Sequence, residues 1–185
     1  MRVTPTSLPE VLTLEPVRHD DTRGSFMEVW REDKLAAAGI PTRIVQTNLT
    51  TSRKSVLRGL HFQEPDAQDK LITVLAGVIF DVAVDIRRGS PRFGRWIGIE
   101  LSAANRRQLW IPRGFAHGFC ALTGDTQVQY ACTGYYAPAH DRAIRWNDPA
   151  LAIDWPVKAP ILSPRDAAAP ALADAPVLPA YRIAP

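Results

Sequence analysis

Along the middle of the chain, apolar residues recur either at every second position or in short unbroken runs, with turn-forming residues between them. LITVL (71–75) and VIFDVAVDI (78–86) are separated by Ala76-Gly77, a hairpin signal. WIGIEL (96–101) follows the turn RRGSPRFG, RQLWIP (107–112) follows SAAN, and FCAL and TQVQYACT flank Thr123-Gly124-Asp125. The pattern predicts one helix, EDKLAAA (32–38), stopped by Gly39 and then Pro41. Many short strands with no βαβ alternation predict an all-β sandwich or barrel with few short helices. From Trp155 onward the chain turns Pro- and Ala-rich, a composition open to either a disordered end or a helical turn of RDAAAPAL against the barrel.

Strand parity sharpens the picture. In VIFDVAVDI, Val78, Phe80, Val82, Val84 and Ile86 make one apolar face, while Ile79, Asp81, Ala83 and Asp85 make the other. A carboxylate in mid-strand implies either a solvated face or a cleft. In VLRGLHFQ (56–63), Arg58 and His61 differ in parity, so an ideal strand points them to opposite faces. Gly59 between them is a candidate bulge that brings both to one side. Taken singly, other polar residues have plain readings. Tyr130 shares its face with Val128 and Cys132 as a core tyrosine, Lys70 borders the polar loop EPDAQD as a surface residue, and His117 lies among Pro112, Gly114 and Gly118 as a loop histidine.

The length of 185 residues suits one domain with a substantial core. No run approaches the 18 or more apolar residues of a membrane span, and MRVTPTSLPEVLTLEP lacks the regions of a signal peptide. A soluble cytoplasmic protein is therefore expected. Cys120 and Cys132 match neither a disulfide framework nor a zinc spacing and read as small buried hydrophobes. The net charge is only +3, and no Lys/Arg-rich run is interleaved with aromatics, so a nucleic-acid partner is not expected. The four histidines, His19, His61, His117 and His140, form no H-x-H pair, which argues against a metal site.

Several long motifs appear in order: QTNLTTSRKSVLRGLHFQ, KLITVLAGVIFDVAVDIRRGSPRFGRW, LSAANRRQLWIPRGFAHGF, YYAP, WNDPALAIDWP and LSPRDAAAP. Together they resemble the dTDP-4-dehydrorhamnose 3,5-epimerase family from about Leu12 to Pro170. The resemblance implies a single jelly-roll domain of the cupin type over 1–185. Residues from 1 to about 50 would contribute to a homodimer, and the tail 156–185 would pack on the barrel. It also implies metal- and cofactor-free inversion at C-3 and C-5 of dTDP-4-keto-6-deoxy-D-glucose, a step towards dTDP-L-rhamnose. Both carbons flank the C-4 ketone, so the site must take a proton, stabilise an enolate and return a proton from the opposite face.

By the same resemblance His61 is the base, oriented by Asp166, while Lys70 stabilises the enolate and Tyr130 is the acid. Asp81 has a supporting catalytic role. Arg58 is a diphosphate ligand, Gln46 and Asn48 a Q-x-N ligand pair, and His117, Tyr136, Asp141 and Arg165 further substrate-binding positions. Arg23 and Glu28 reach the site from the neighbouring subunit. The sequence departs from the family at Asp141, where glutamate is usual, at Arg165, where lysine is expected, and at Thr47, where aspartate is frequent. The rival functions are epimerisation at a single carbon in a deoxysugar pathway, a non-catalytic sugar-nucleotide-binding cupin, and a metal-dependent cupin oxygenase. Tyr130 together with Lys70 and Asp166 favours double inversion.

Overall fold

A computed structural model describes residues 1–41 and 43–181. In chain order the strands are β1 (Arg2–Pro5), β2 (Leu12–Glu15), β3 (Arg18–Asp21), β4 (Gly24–Met27), β5 (Gln46–Ser52), β6 (Leu57–Gln63) and β7 (Lys70–Ala76). They continue with β8 (Val78–Asp85), β9 (Trp96–Ser102), β10 (Gln108–Ile111), β11 (Phe115–Ala121), β12 (Thr126–Cys132) and β13 (Asp141–Ala143). The helices α1 (Glu32–Ala37) and α2 (Pro164–Ala167) are short.

Two antiparallel sheets face one another as a jelly-roll sandwich. One has six strands in the order β1-β2-β10-β7-β12-β5, and the other has five in the order β13-β6-β11-β8-β9. The β3–β4 hairpin forms a separate two-stranded ribbon. Between the sheets lies a core of Ile72, Val74, Ile79, Ala83, Leu109, Phe115, Phe119 and Val128. These are alternate residues of their strands, as a two-sided sheet requires.

The outer faces are covered too. On the five-stranded sheet, Leu57, Leu60, Phe62, Val82, Val84 and Cys120 pack under Leu151, Trp155 and Leu172, with Leu162 and Leu178 beside them. Residues after Trp155 therefore cross that face, and both faces of β8 are dry: Asp81 and Asp85 are fully buried. The solvated-face reading of VIFDVAVDI fails because the Asp81 and Asp85 face, shared with Ile79 and Ala83, is the one turned to the facing sheet, while the C-terminal region covers the opposite face of Val82 and Val84. On the six-stranded sheet, Leu35 of α1 packs with Leu14, Ile40, Leu71 and Trp110. Gly39, at φ +73, ends that helix as its position predicts.

At one end of the sandwich, Arg87 makes paired bonds to Asp85 (2.9 and 2.7 Å) and its guanidinium lies 4.4 Å from the Phe115 ring centroid and 5.0 Å from that of Tyr181. Ser90 Oγ donates to the same carboxylate at 2.6 Å. This cluster joins the tail to the sheet.

Candidate active site

The wall of the cavity is set by an irregularity in β6. His61 pairs with His117 and Arg58 with Phe119, so three steps on β6 match two on β11. Leu57, Leu60 and Phe62 point into the outer core, while Arg58 and His61 both line the cavity. Gly59 is the extra residue. Its φ is +120, and a Cβ there would sit 2.6 Å from Gly118 Cα and 2.7 Å from the His117 carbonyl oxygen. Only glycine fits that contact.

The cavity is about 460 Å³. From the five-stranded sheet it receives Arg58, His61, Gln63, His117, Phe119 and Asp141. From the facing sheet come Gln46, Asn48 and Thr50 on β5, Lys70 on β7 and Tyr130 on β12. Asn48 is the direct cross-strand partner of Tyr130, and Lys70 that of Cys132, so Lys70 lies diagonally beside Tyr130 on the same wall.

His61 Nε2 lies 2.6 Å from Asp166 Oδ1. The aspartate is buried and held by its own short helix: Ser163 caps α2 by accepting the Asp166 N–H at 3.1 Å, with Pro164 in the first turn. Burial alone raises the Asp166 carboxyl. Hydrogen bonds and charge from His61, with Ser163 and the Gly59 N–H, outweigh it and hold the group below the usual carboxylate range. As a carboxylate, Asp166 accepts the Nε2–H and leaves Nδ1 of His61 as the basic nitrogen.

A second histidine–carboxylate pair sits alongside, with His117 Nε2 2.7 Å from Asp81 Oδ1. Asp81 itself does not line the cavity. Its other oxygen is buried without a partner among the described residues, and its one side-chain link towards the cavity there is the contact with His117. His117 is not in a loop but in the middle of β11. Gly118 is a close-packing site and not a turn, since a Cβ there would meet the Arg58 carbonyl oxygen at 2.8 Å.

Lys70 and Tyr130 are likewise cavity groups, contrary to their plain surface and core readings. The Lys70 ammonium has no hydrogen-bond partner among the described residues. Burial lowers its pKa, opposed by Cys132, Asp141 and Asp81. Burial raises that of Tyr130, with Cys132 adding to the effect and Arg58 opposing it. Arg58 donates to Ser52 Oγ (3.2 Å) and the Thr51 carbonyl (3.4 Å).

Across the mouth, Asp141 Oδ2 accepts from Tyr136 Oη at 2.9 Å and pairs with Arg165 Nη1 at 2.7 Å. Those bonds raise the pKa of both Tyr136 and Arg165. Gln46 donates to Asn48 Oδ1 at 2.9 Å and accepts the Tyr136 N–H at 2.8 Å.

Arg23 and Glu28 stand apart from this cavity. Arg23, in the β3–β4 turn, pairs with Asp21, and Glu28 pairs with Lys34 and Arg31. A second, more apolar groove of about 300 Å³ lies on the outer face of the six-stranded sheet, lined in part by Met27, Val29, Trp30, Leu75 and Arg106. Sequence reading did not single out Gln63, Phe119, Gln68 or Ser163, which also line the main cavity. Gln63 was detectable as a polar residue two after His61, and Ser163 as a cap before Pro164. Among the described residues, no cluster of three His, Cys, Asp or Glu is arranged to hold a metal ion.

The family model for dTDP-4-dehydrorhamnose 3,5-epimerase matches residues 5–174. A Pseudomonas aeruginosa enzyme of that name is 48% identical over 181 residues, covering 97% of this chain and all of its own. One from Neisseria gonorrhoeae is 50% identical over 91% of this chain, which spans 52% of that relative's length. A dTDP-4-dehydrorhamnose 3-epimerase from Streptomyces niveus is 41% identical over 98% of this chain and 90% of its own. Among solved structures, a dTDP-6-deoxy-D-glucose-3,5-epimerase from Legionella pneumophila in complex with dTDP-4-keto-L-rhamnose superposes with a TM-score of 0.95. It is 48% identical, and the match covers 98% of this chain and 99% of that one.

Proposed function

The chain belongs to the dTDP-4-dehydrorhamnose 3,5-epimerase family, and from that premise we propose how its cavity converts dTDP-4-dehydro-6-deoxy-D-glucose to dTDP-4-dehydro-L-rhamnose. The observation that carries the mechanism is the placement of base and acid on facing sheets: His61 with Asp166 on one side, Tyr130 on the other.

Nδ1 of His61 takes the proton from the carbon next to the ketone, and the bonding pair moves through the new C=C bond onto the C-4 oxygen. The developing imidazolium is stabilised by Asp166. Lys70 places positive charge where the oxyanion forms, in a partly buried setting that strengthens the interaction. Tyr130, kept protonated by burial, returns a proton to the opposite face of the carbon and is reprotonated from solvent. His61 discharges its proton to solvent before the second carbon is processed. Inversion follows because donor and acceptor never occupy the same face.

Arg58 presents a planar cation inside the cavity and suits the diphosphate. His117, held by Asp81, and the pair Gln46 and Asn48 offer hydrogen bonds within the cavity, while Tyr136, Asp141 and Arg165 form the mouth through which the nucleotide extends. The compact Asp141–Arg165 pair supports a substrate contact despite the family's usual glutamate and lysine.

We read the working form as a homodimer. Phe26 is 71% exposed on β4, Leu49 is 59% exposed on β5, and the apolar groove adjoins both strands. A second copy seated there would carry Arg23 and Glu28 towards the partner's mouth. Sedimentation at micromolar concentration tests it, since a monomer with full activity would remove this role. Two unbridged cysteines favour a cytoplasmic setting, and no described helix is long and apolar enough to cross a membrane.

The direct test couples the purified protein to a 4-ketosugar reductase and identifies the trapped sugar. L-Rhamnose is expected. A sugar inverted at one carbon would move the chain to the single-site epimerases, and unaltered substrate configuration would leave only binding.

A further inference from the structure

Gln63 is 7% exposed and lies two residues beyond His61 on the same face of β6. Its side-chain amide is engaged three times. Nε2 donates to the carbonyls of Asp66 (2.9 Å) and Tyr135 (3.2 Å), and Oε1 accepts the Ala137 N–H (2.9 Å). The intervening N–H, that of Tyr136, goes to Gln46 Oε1 at 2.8 Å. The backbone on both sides of Tyr136 is therefore tied to the catalytic strand by one buried side chain. Tyr136 itself is 53% exposed, and its only side-chain hydrogen bond among the described residues is the hydroxyl contact with Asp141. The chemistry of the contact demands an amide of this length. Glutamate cannot donate, methionine and leucine can do neither, and asparagine is one methylene short. The orientation of the amide is fixed by its surroundings, two carbonyls at one end and an N–H at the other.

We infer that Gln63 is a positioning residue for substrate binding: it holds residues 135–137 so that Tyr136 stands at the cavity mouth before the nucleotide sugar arrives. The inference rests on the reading of Tyr136 as a substrate-binding group. Among the described residues no hydrogen bond joins Gln63 to His61, Lys70 or Tyr130, so its effect belongs in binding and not in proton transfer.

A double-mutant cycle on kcat and KM for dTDP-4-keto-6-deoxy-D-glucose tests this. Tyr136→Ala and Gln63→Leu should each raise KM about tenfold with kcat within about threefold, and the double variant should exceed Tyr136→Ala by no more than about twofold. Additive effects, or a loss confined to kcat, would overturn the inference by showing that Gln63 acts elsewhere. If Tyr136→Ala leaves KM unchanged, the substrate-binding reading of Tyr136 falls and the inference with it. If Tyr136→Ala raises KM and Gln63→Leu does not, only the inference falls. Should Gln63→Leu fail to fold, Gln63→Glu carries the same comparison, because it keeps the acceptor for Ala137 and loses both donors.

Discussion

Lys70 shows how a residue with an ordinary sequence context acquires an unusual chemical environment from its position. In the sequence it borders a polar loop. In the fold its strand begins at the cavity wall, and burial lowers its pKa against the pull of Cys132, Asp141 and Asp81. The ammonium therefore loses its proton at a lower pH than a free lysine, while Tyr130 moves the other way. The alkaline limb of the kcat/KM profile should accordingly fall below the ordinary lysine range and follow Lys70. In Lys70→Arg the guanidinium stays charged throughout, so whatever activity survives should lose that limb. An unchanged limb in that variant would assign it to another group. Single residues were hard to read from sequence for the same reason. Parity gave Tyr130 its correct neighbours, Val128 and Cys132, but could not tell that this interior face opens into a cavity halfway along.

At the level of the strand, the patterns were most legible where alternation was long. The run 71–75 became β7, 78–86 became β8 and 96–101 became β9, each with ends shifted by a residue or so. The bulge at Gly59 was legible as a candidate, because it offered a way for two polar residues of opposite parity to share a face, and the register shift in β6 bears it out. What escaped were elements too short or too polar to carry a period, RVTP, LTLE and the wholly polar RHDD, while the four-residue α2 falls where a helical turn of RDAAAPAL was one of two open readings. Gly118 misled for a different reason. Glycine marks turns and close approaches alike, and here it is the approach, against Gly59. Gly59→Ala should therefore destabilise the protein by about 3 kcal/mol, through overpacking and an unfavourable φ. It should also lower kcat by displacing His61 from Asp166. Thermal unfolding with steady-state rates checks both, and a variant of native stability would show that the β6–β11 contact is loose.

Across the whole molecule, three buried carboxylates tie the sandwich together by partnered charge: Asp69 with Arg113 and Thr133, Asp85 with Arg87 and Ser90, and Asp166 with His61. For each, burial is the largest influence and raises the pKa, yet the partners outweigh it and the group ends below its ordinary value. A lowered folded pKa stabilises the fold above the unfolded carboxylate pKa. That contribution is lost as pH falls from about 4, the unfolded aspartate value, through the folded pKa values. The melting temperature should thus be nearly flat near neutrality and fall steeply below about pH 4. Asp85→Asn should cost about 1–3 kcal/mol at neutral pH by taking from Arg87 one of its two carboxylates, Glu10 staying at 3.0 Å, and should flatten the acid decline. A decline as steep as in the unmodified protein would place the linkage elsewhere.

In the proposed mechanism the opposed sheets supply base and acid to opposite faces of the substrate, and isotope exchange reads that arrangement most directly. Incubation with dTDP-4-keto-6-deoxy-D-glucose in deuterated water, followed by NMR, reports both exchange and configuration at each carbon. The unmodified protein should place deuterium at C-3 and C-5 with both centres inverted. Tyr130→Phe should still exchange through His61 but with inversion suppressed, because the proton can return only from the face it left. Tyr130→Phe that inverts both carbons at the normal rate, or His61→Ala that still exchanges, would contradict a base and an acid acting from facing walls.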